Sequence, residues 1–309
     1  MLIRESNEAD IPAIVVLLKK SLGETSSLKS IDYWVWKHIN NPFGESMVLL
    51  GLNNGQLIGV RAMMRWNWQR GNDSFNALRA VDTGTHPDHQ GTGVFSTLTN
   101  KIVGLAHDQG IKFIFNTPNS KTLPGYLKLG WIALGKLRAG ISFLPSFLGS
   151  DSTTLDALAD FSCLDDLCKH WNSLHKNSHH LFTPKTPEYL KWRYLNNPVI
   201  NYFVHSDSTL FLAMYIRKRK SFNELRVAEL ICMGNKPVDR KKVKLLVRQW
   251  AFKNKANLIT FAPQIKSWMP GLKLNLPIGP ILTTKKINLD FPPFKCLKMG
   301  YQLGDMELF

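Results

Sequence analysis

Cysteine is scarce in this chain: Cys163, Cys168, Cys232 and Cys296 are the only four in 309 residues. They form no C-x-x-C pair and have no histidine at the spacing of a zinc site. Neither a disulfide framework nor a structural metal is expected to organise the fold, and the thiols read as buried or incidental groups in a reducing compartment. His86 with His89 and His179 with His180 fall in loop-like sequence, so no metal site is indicated. Long apolar runs are missing as well. Nothing approaches the roughly eighteen residues of a membrane helix, and MLIRESNEAD lacks the architecture of a secretory leader. The expected location is cytoplasmic. Acid is also in short supply, with 23 Asp and Glu against 39 Lys and Arg, a formal net charge of +16. The surplus is uneven, since residues 1–150 hold 15 basic and 10 acidic side chains and residues 151–309 hold 24 and 13. A solvated basic surface accounts for it, and so does an acidic partner such as a nucleotide, phosphosugar, anionic lipid or nucleic acid.

Core material is plentiful: 44% of residues are hydrophobic and 20% charged, as in a globular chain of one large or two ordinary domains. Leu2–Arg4 reads as a strand. Asp10–Leu18 carries an apolar helical face, with Lys19 and Lys20 where cations suit the helix dipole. Tyr33–Asn41 reads as a short aromatic helix stopped by Asn40, Asn41 and Pro42. Strands are expected at 47–52 and 56–64, joined by the hairpin turn Asn53-Asn54-Gly55, and another at 65–69. In that last strand Trp66 and Trp68 share a face, serving either sheet packing or the wall of an acceptor pocket.

The stretch Leu78–Trp131 organises the rest. Residues 78–85 form a β-branched strand broken by Pro87, Asp88, Gln90, Gly91 and Gly93. Phe95, Leu98, Ile102 and Leu105 then recur at helical spacing, so a helix begins near Val94, and a second strand follows at 112–115. The first amides of a helix have no intrahelical acceptor and sit at the positive end of its dipole. Glycines at 91 and 93 let backbone approach a ligand, so this corner suits an anion or serves simply as a tight turn. It matches neither G-x-x-x-x-G-K-[ST] nor G-x-G-x-x-G, which fails at Ser96.

Gln90-Gly91-Thr92-Gly93, preceded by His86-Pro87-Asp88 and followed by Asn119 and Tyr126-Leu127-Lys128-Leu129-Gly130-Trp131, resembles the GNAT superfamily of acyl-CoA N-acyltransferases. Three motifs recur in that family's order and spacing over roughly the first 140 residues; Phe95 departs from the small residue usual at its position. The resemblance implies acetyl-CoA or another acyl-CoA as co-substrate, with its pyrophosphate on the amides of Gly91, Thr92, Gly93, Val94 and Phe95 beside Gln90. It implies Tyr126 as the acid that protonates the leaving thiolate. It also implies a backbone N–H among Thr83, Gly84 and Thr85 for the thioester oxygen. Asn119 is expected to bond the pantetheine arm or a water, or merely to end the strand. An alkylammonium must lose a proton before it attacks. Asp82, on the strand feeding the loop, is the candidate base, the alternative being a structural carboxylate paired with Arg79 or Arg61.

Tyr33-x-x-Trp36-Lys37-x-x-Asn40-Asn41-Pro42 recurs as Tyr189-x-x-Trp192-Arg193-x-x-Asn196-Asn197-Pro198, an internal repeat. Beyond it, Arg240, Lys241 and Val243 align with Gln90, Gly91 and Gly93, and Leu272 with Tyr126. The expected fold is α/β (α+β): two tandem GNAT-like lobes, each a mixed, largely antiparallel sheet flanked by helices. Residues 1–148 would be the acyltransferase domain, and 149–309, after a boundary in 144–154 and an acidic helical segment at 155–175, a degenerate acceptor-side platform. The expected activity is acyl transfer to a primary amine of a small or carrier-linked acceptor, such as an amino sugar or an amine on an anionic carrier. The alternative is a non-catalytic module whose Arg217–Lys220 and Arg240–Lys244 grip nucleic acid or a membrane surface.

Overall fold

The computed structural model describes residues 1–23, 28–144, 159–178, 180–234, 236–289 and 299–306. The expected boundary, apart from Leu144, lies outside these residues, as do Cys296 and His179. The first elements are β1 (Leu2–Glu5), α1 (Ile11–Leu22), α2 (Ile31–Trp34), β2 (Met47–Asn53), β3 (Gln56–Arg70), β4 (Asp73–Thr85), α3 (Val94–Asp108), β5 (Phe113–Asn116), α4 (Leu123–Lys128) and β6 (Ile132–Lys136). Then come β7 (Ala139–Phe143), α5 (Leu164–Lys176), α6 (Pro187–Leu190), β8 (Phe203–Ser206), β9 (Leu210–Lys218), β10 (Asn223–Cys232), α7 (Pro237–Lys253), β11 (Ala256–Phe261), β12 (Leu272–Leu276), β13 (Ile281–Lys286) and α8 (Leu303–Met306). Among the described residues no helix is long and apolar enough to cross a membrane.

Local chemistry explains the first elements. Asn7 and Asp10 form a capping box ahead of α1, whose Ile11, Ile14, Val15 and Leu18 are buried at helical spacing. The β2–β3 turn places Asn54 and Gly55 at φ 48° and 80°, the left-handed pair that a tight hairpin demands. Strand β3 runs unbroken for 15 residues, so the separate strand expected at 65–69 is its continuation. The helix expected from residue 155 is described only from Leu164.

Two sheets result, in the orders β1-β2-β3-β4-β5-β13-β6 and β12-β7-β11-β10-β9-β8. Among the described strands only the β4–β5 and β10–β11 pairs are parallel. At one end the two sheets are built alike. Strand β13 lies between β5 and β6, antiparallel to both, while β7 lies between β11 and β12 in the same way. Each sheet therefore contains one strand from the other half of the chain, a reciprocal exchange of the kind seen in domain-swapped dimers.

The repeated segments meet where the halves join. Ser30 and Thr186 cap α2 and α6 through the amides of Tyr33 and Tyr189, and each helix runs into a π turn. Trp36 Nε1 donates to the Trp192 carbonyl at 2.8 Å, Trp192 Nε1 donates to the Trp36 carbonyl at 2.7 Å, and the indoles stack 4.8 Å apart. Trp66 and Trp68 are buried in the same core, with Phe115, Phe182 and Tyr189, and Trp66 Nε1 bonds Thr183 Oγ1 at 3.0 Å. Their role is packing across the halves, not an acceptor wall. Each large side chain withdrawn from water here contributes roughly 1.5–3 kcal/mol.

Candidate active site

The glycine-rich corner forms a recess of about 380 Å³ lined by Ser21, Leu22, Thr83–Thr85, His89–Gly91 and Gly93–Ser96. Gly91 and Gly93 have φ of 80° and 86°, a region that side chains with a Cβ disfavour. A Cβ built on either would meet nothing within 4 Å. The backbone thus faces open space that a ligand can fill. Helix α3 starts its ladder with the Thr97 amide on the Gly93 carbonyl, so the amides of residues 94–96 precede the first helical bond and add the positive end of a 15-residue helix. A pyrophosphate fits this donor set.

A second recess opens where β4 and β5 part. They pair only through Ala77–Arg79 with Phe113–Phe115, while β4 continues to Thr85. A register shift in the β3–β4 ladder pairs Arg61 with Thr83 and Ala62 with Val81, leaving Asp82 as a bulge residue at φ 23°. The resulting cleft of about 500 Å³ is lined by Ala80–Thr83 on one side and Asn116–Asn119, Gly125 and Tyr126 on the other. It shares Leu22, Thr83 and Phe95 with the glycine recess. Beyond Arg79 the edge of β4 facing β5 has no ladder partner among the described residues, so its amides can serve as donors to an oxyanion.

Tyr126 sits on α4 at the rim, 5% exposed, packed edge-on against Phe95 and Trp131. Its phenol oxygen accepts from Arg61 Nη1 at 2.9 Å, and the same nitrogen bonds Thr83 Oγ1. Asp82 is bonded by Lys37 Nζ and by His38 Nε2 at 2.9 Å, and His38 Nδ1 meets Ser46 Oγ at 2.9 Å. Burial alone would raise the Asp82 pKa, but Lys37 and the His38 bond overcome it and hold the carboxyl far below the ordinary range. Burial pulls Lys37 and His38 down. Both partners differ from the Arg79 or Arg61 expected. Arg79 instead donates to the carbonyls of Asp305 and Met306 and to Thr117 Oγ1. Asn119 Oδ1 accepts from the amides of Lys121 and Thr122 at 3.0 and 2.9 Å, ordering the approach to α4.

Residues 2–133 match the model of the acetyltransferase (GNAT) domain family. Residues 2–133 are a GNAT domain. No curated protein matches the chain in sequence. In structure, the chain is similar to the GCN5-related N-acetyltransferase from Anabaena variabilis (12% identity, 93% of this chain and 73% of that one, TM-score 0.65). It is similar also to the one from Kribbella flavida (13%, 93% and 71%, TM-score 0.65) and to Eis1 from Mycobacterium abscessus (12%, 93% and 74%, TM-score 0.55). At these identities the likeness is one of fold.

The second lobe is closed where the GNAT domain is open. Arg240, Lys241 and Val243 lie within α7, which starts at Pro237, so no glycine loop occupies the corresponding corner. Leu272 opens β12 and is 71% exposed, unlike helical Tyr126. Strand β10 also has a register shift, at Val227/Glu229, and leaves β11 beyond Arg226. That gap holds the chain's own segment 302–306. Gln302 Nε2 bonds the Leu230 carbonyl at 3.4 Å, a Cβ on Gly304 would lie 3.3 Å from the Ala228 carbonyl, and Lys185 joins Asp305 to Glu229 at 2.8 and 2.7 Å. Burial pushes Glu229 up to about 7 despite Lys185. Among the basic residues singled out in this lobe, Arg219 pairs with Glu224, Lys242 with Asp207, and Arg240 lies over Trp268. None lines the GNAT cleft, whose four basic side chains among the described residues are Lys29, Lys37, Arg79 and Lys121.

Lys37, His38 and Asn116 carry no mark of the site in the sequence, and Arg61 is expected there only as a structural partner of Asp82. Lys37 lay within the repeat, and Arg61 stood as a lone charge inside the apolar run Gly59–Met64, a signal that could have been read.

Proposed function

We propose that the protein is an acyl-CoA-dependent N-acyltransferase, with acetyl-CoA the first candidate donor, that moves the acyl group directly to a primary amine. The continuity of the glycine recess with the β4–β5 cleft supports this reading most. A pyrophosphate at residues 91–95 leads a pantetheine arm past Thr83 to a thioester beneath Tyr126. An amide of β4 within Thr83–Thr85, on the edge turned away from β3, receives the carbonyl oxygen, and Tyr126 donates its proton to the departing sulfur. Asn119, with its oxygen engaged in the turn before α4, offers its amide to the arm. Asp82 serves better as an electrostatic anchor than as the base, because a carboxylate held so far below the ordinary range binds a proton poorly at neutral pH. The amine then reacts in its neutral form after losing a proton to water.

The acceptor is a small or carrier-linked amine, amino sugars included. With four basic side chains and one carboxylate among the described residues of the cleft, an amine that also bears an anionic group is favoured over a polycation. The test is thiol release from acetyl-CoA across a panel of amino sugars, amino acids, amine phosphates and polyamines, with the acylated product identified by mass. Acylation of an amine carrying a carboxylate or phosphate is expected. Absence of thiol release with every amine, together with salt-sensitive binding of arbitrary nucleic acid, would replace this reading with that of a binding module.

A further inference from the structure

Arg61 is a buried cation with no ion pair among the described residues. It lies in mid-β3 with 0% exposure, between Val60 and Ala62, themselves buried. Among the described residues its Nη1 meets only neutral oxygens, those of Tyr126 and Thr83, and its Nε and Nη2 have no partner. The rings of Phe95 and Tyr126 lie 5.5 and 5.2 Å from its guanidinium carbon. Of the other buried cations, Lys185 has Glu229 and Asp305 and Lys37 has Asp82, whereas Arg193, like Arg61, meets only neutral oxygens, those of Gly304 and Tyr202; Arg61 is set apart by holding the phenol of Tyr126 at the cleft. An uncompensated charge out of water opposes folding, and a methionine of similar length would fill the same slot without that burden.

We propose that Arg61 is the positioning residue of the acid step, an inference that rests on the acyltransferase reading. Its N–H occupies a lone pair of the Tyr126 oxygen, which leaves the phenol hydrogen to point into the cleft. The amine nitrogen attacks the thioester carbon, and the tetrahedral oxyanion collapses with cleavage of the C–S bond, whose electron pair passes to sulfur. The Tyr126 hydrogen moves to that sulfur. The phenolate so formed is the missing counter-charge of Arg61, held at close range in a medium of low dielectric. It regains a proton from water as the acylated nitrogen sheds its own, and the protein returns to its starting state. Arg61 is thus unpaired in the resting protein and paired when the leaving group departs.

The experiment compares full-length Arg61→Met, Arg61→Lys, Tyr126→Phe and the double variants Arg61→Met/Tyr126→Phe and Arg61→Lys/Tyr126→Phe. It reads kcat with acetyl-CoA and an accepted amine, Kd for CoA, and the thermal midpoint. Each single change to Met or Phe should lower kcat by about 100-fold, the scale of a lost proton donor, with Kd changed less than about twofold. The double variants should be no slower than Tyr126→Phe, because Arg61 acts only through that phenol. The midpoint of Arg61→Met should equal or exceed the parent's, and Arg61→Lys should recover part of kcat. A merely structural arginine gives the opposite pattern: a lowered midpoint and losses that multiply in the double variants. That pattern, or an unchanged kcat in Arg61→Met, overturns the proposal. If Arg61→Met fails to fold, the Arg61→Lys cycle decides by the same additivity criterion. A parent that releases no thiol from acetyl-CoA removes the acyltransferase reading itself; an active parent with an indifferent Arg61 removes this inference alone.

Discussion

Asp82 combines a left-handed backbone, a bulge and the charge that neutralises Lys37. Replacing it by Asn leaves the ammonium buried and uncompensated, so Asp82→Asn should destabilise the protein by about 3–5 kcal/mol at neutral pH, measured by urea unfolding. The sign of its pH dependence follows from the folded carboxyl lying below its unfolded value of about 3.9. The ion pair's contribution is complete above that pH and is lost as the pH falls further. His38 works in the same direction from a higher starting point: burial keeps it neutral in the fold, so stability begins to decline as the pH drops below about 6.5. A mutational loss that persisted undiminished well below pH 4 would contradict the pairing. In catalysis, the acidic limb of kcat/KM should move with the pKa of the acceptor when two amines are compared, the rate rising with pH as neutral amine accumulates. A limb fixed for both amines would restore an enzyme base. Tyr126 and Asp82 could be picked out of the sequence because both sit in or beside a spaced motif. Their pairings could not, since Lys37 with Asp82 and Arg61 with Tyr126 join residues distant in sequence that only the fold brings together.

At the scale of elements, the α3 corner was the most legible part of the chain. The turn residues and the helical spacing of Phe95, Leu98, Ile102 and Leu105 place the helix start near Val94, where α3 begins, and the turn glycines have the positive φ that their loop requires. Gly93→Val would force a β-branched residue into that conformation and put its Cβ into the cradle. It should raise the Kd for acyl-CoA at least tenfold, roughly the effect of 1–2 kcal/mol of backbone strain, while the far-ultraviolet circular dichroism stays that of the parent. Lys241→Ala, inside α7, should leave that Kd unchanged. Binding of equal strength by Gly93→Val would dissociate the loop from the coenzyme. Less was legible where pairing, not propensity, decides. The alternation in 139–143 and 281–286 is compatible with a strand but carries no mark of which sheet receives it. Leu272 aligned with Tyr126 by spacing from a Pro-Gly pair, yet the chain there begins an edge strand instead of a helix.

The whole molecule is tied by what the halves exchange. Strand β7 completes the second sheet and β13 the first, and Trp36 and Trp192 bond each other's carbonyls in one shared core. Cutting the chain at residue 148 would therefore leave β5 and β6 without the strand between them. A fragment of residues 1–148 should be aggregated or unfolded, because two bared strand edges are templates for association, whereas the full chain should unfold in one transition. A soluble, cooperatively folding fragment would show that the exchange is dispensable. The repeat in sequence pointed to two similar halves. It did not show that the second half closes its own cleft with residues 302–306, since that contact joins strand β10 to a segment some seventy positions later.

These features converge on a single claim, that one half of the molecule binds acyl-CoA and the other cannot. Isothermal titration of the full-length protein with acetyl-CoA tests it most directly. One ligand per chain is predicted, with binding lost or much weakened in Gly93→Val. Two ligands per chain, or no binding at millimolar acetyl-CoA, would contradict it.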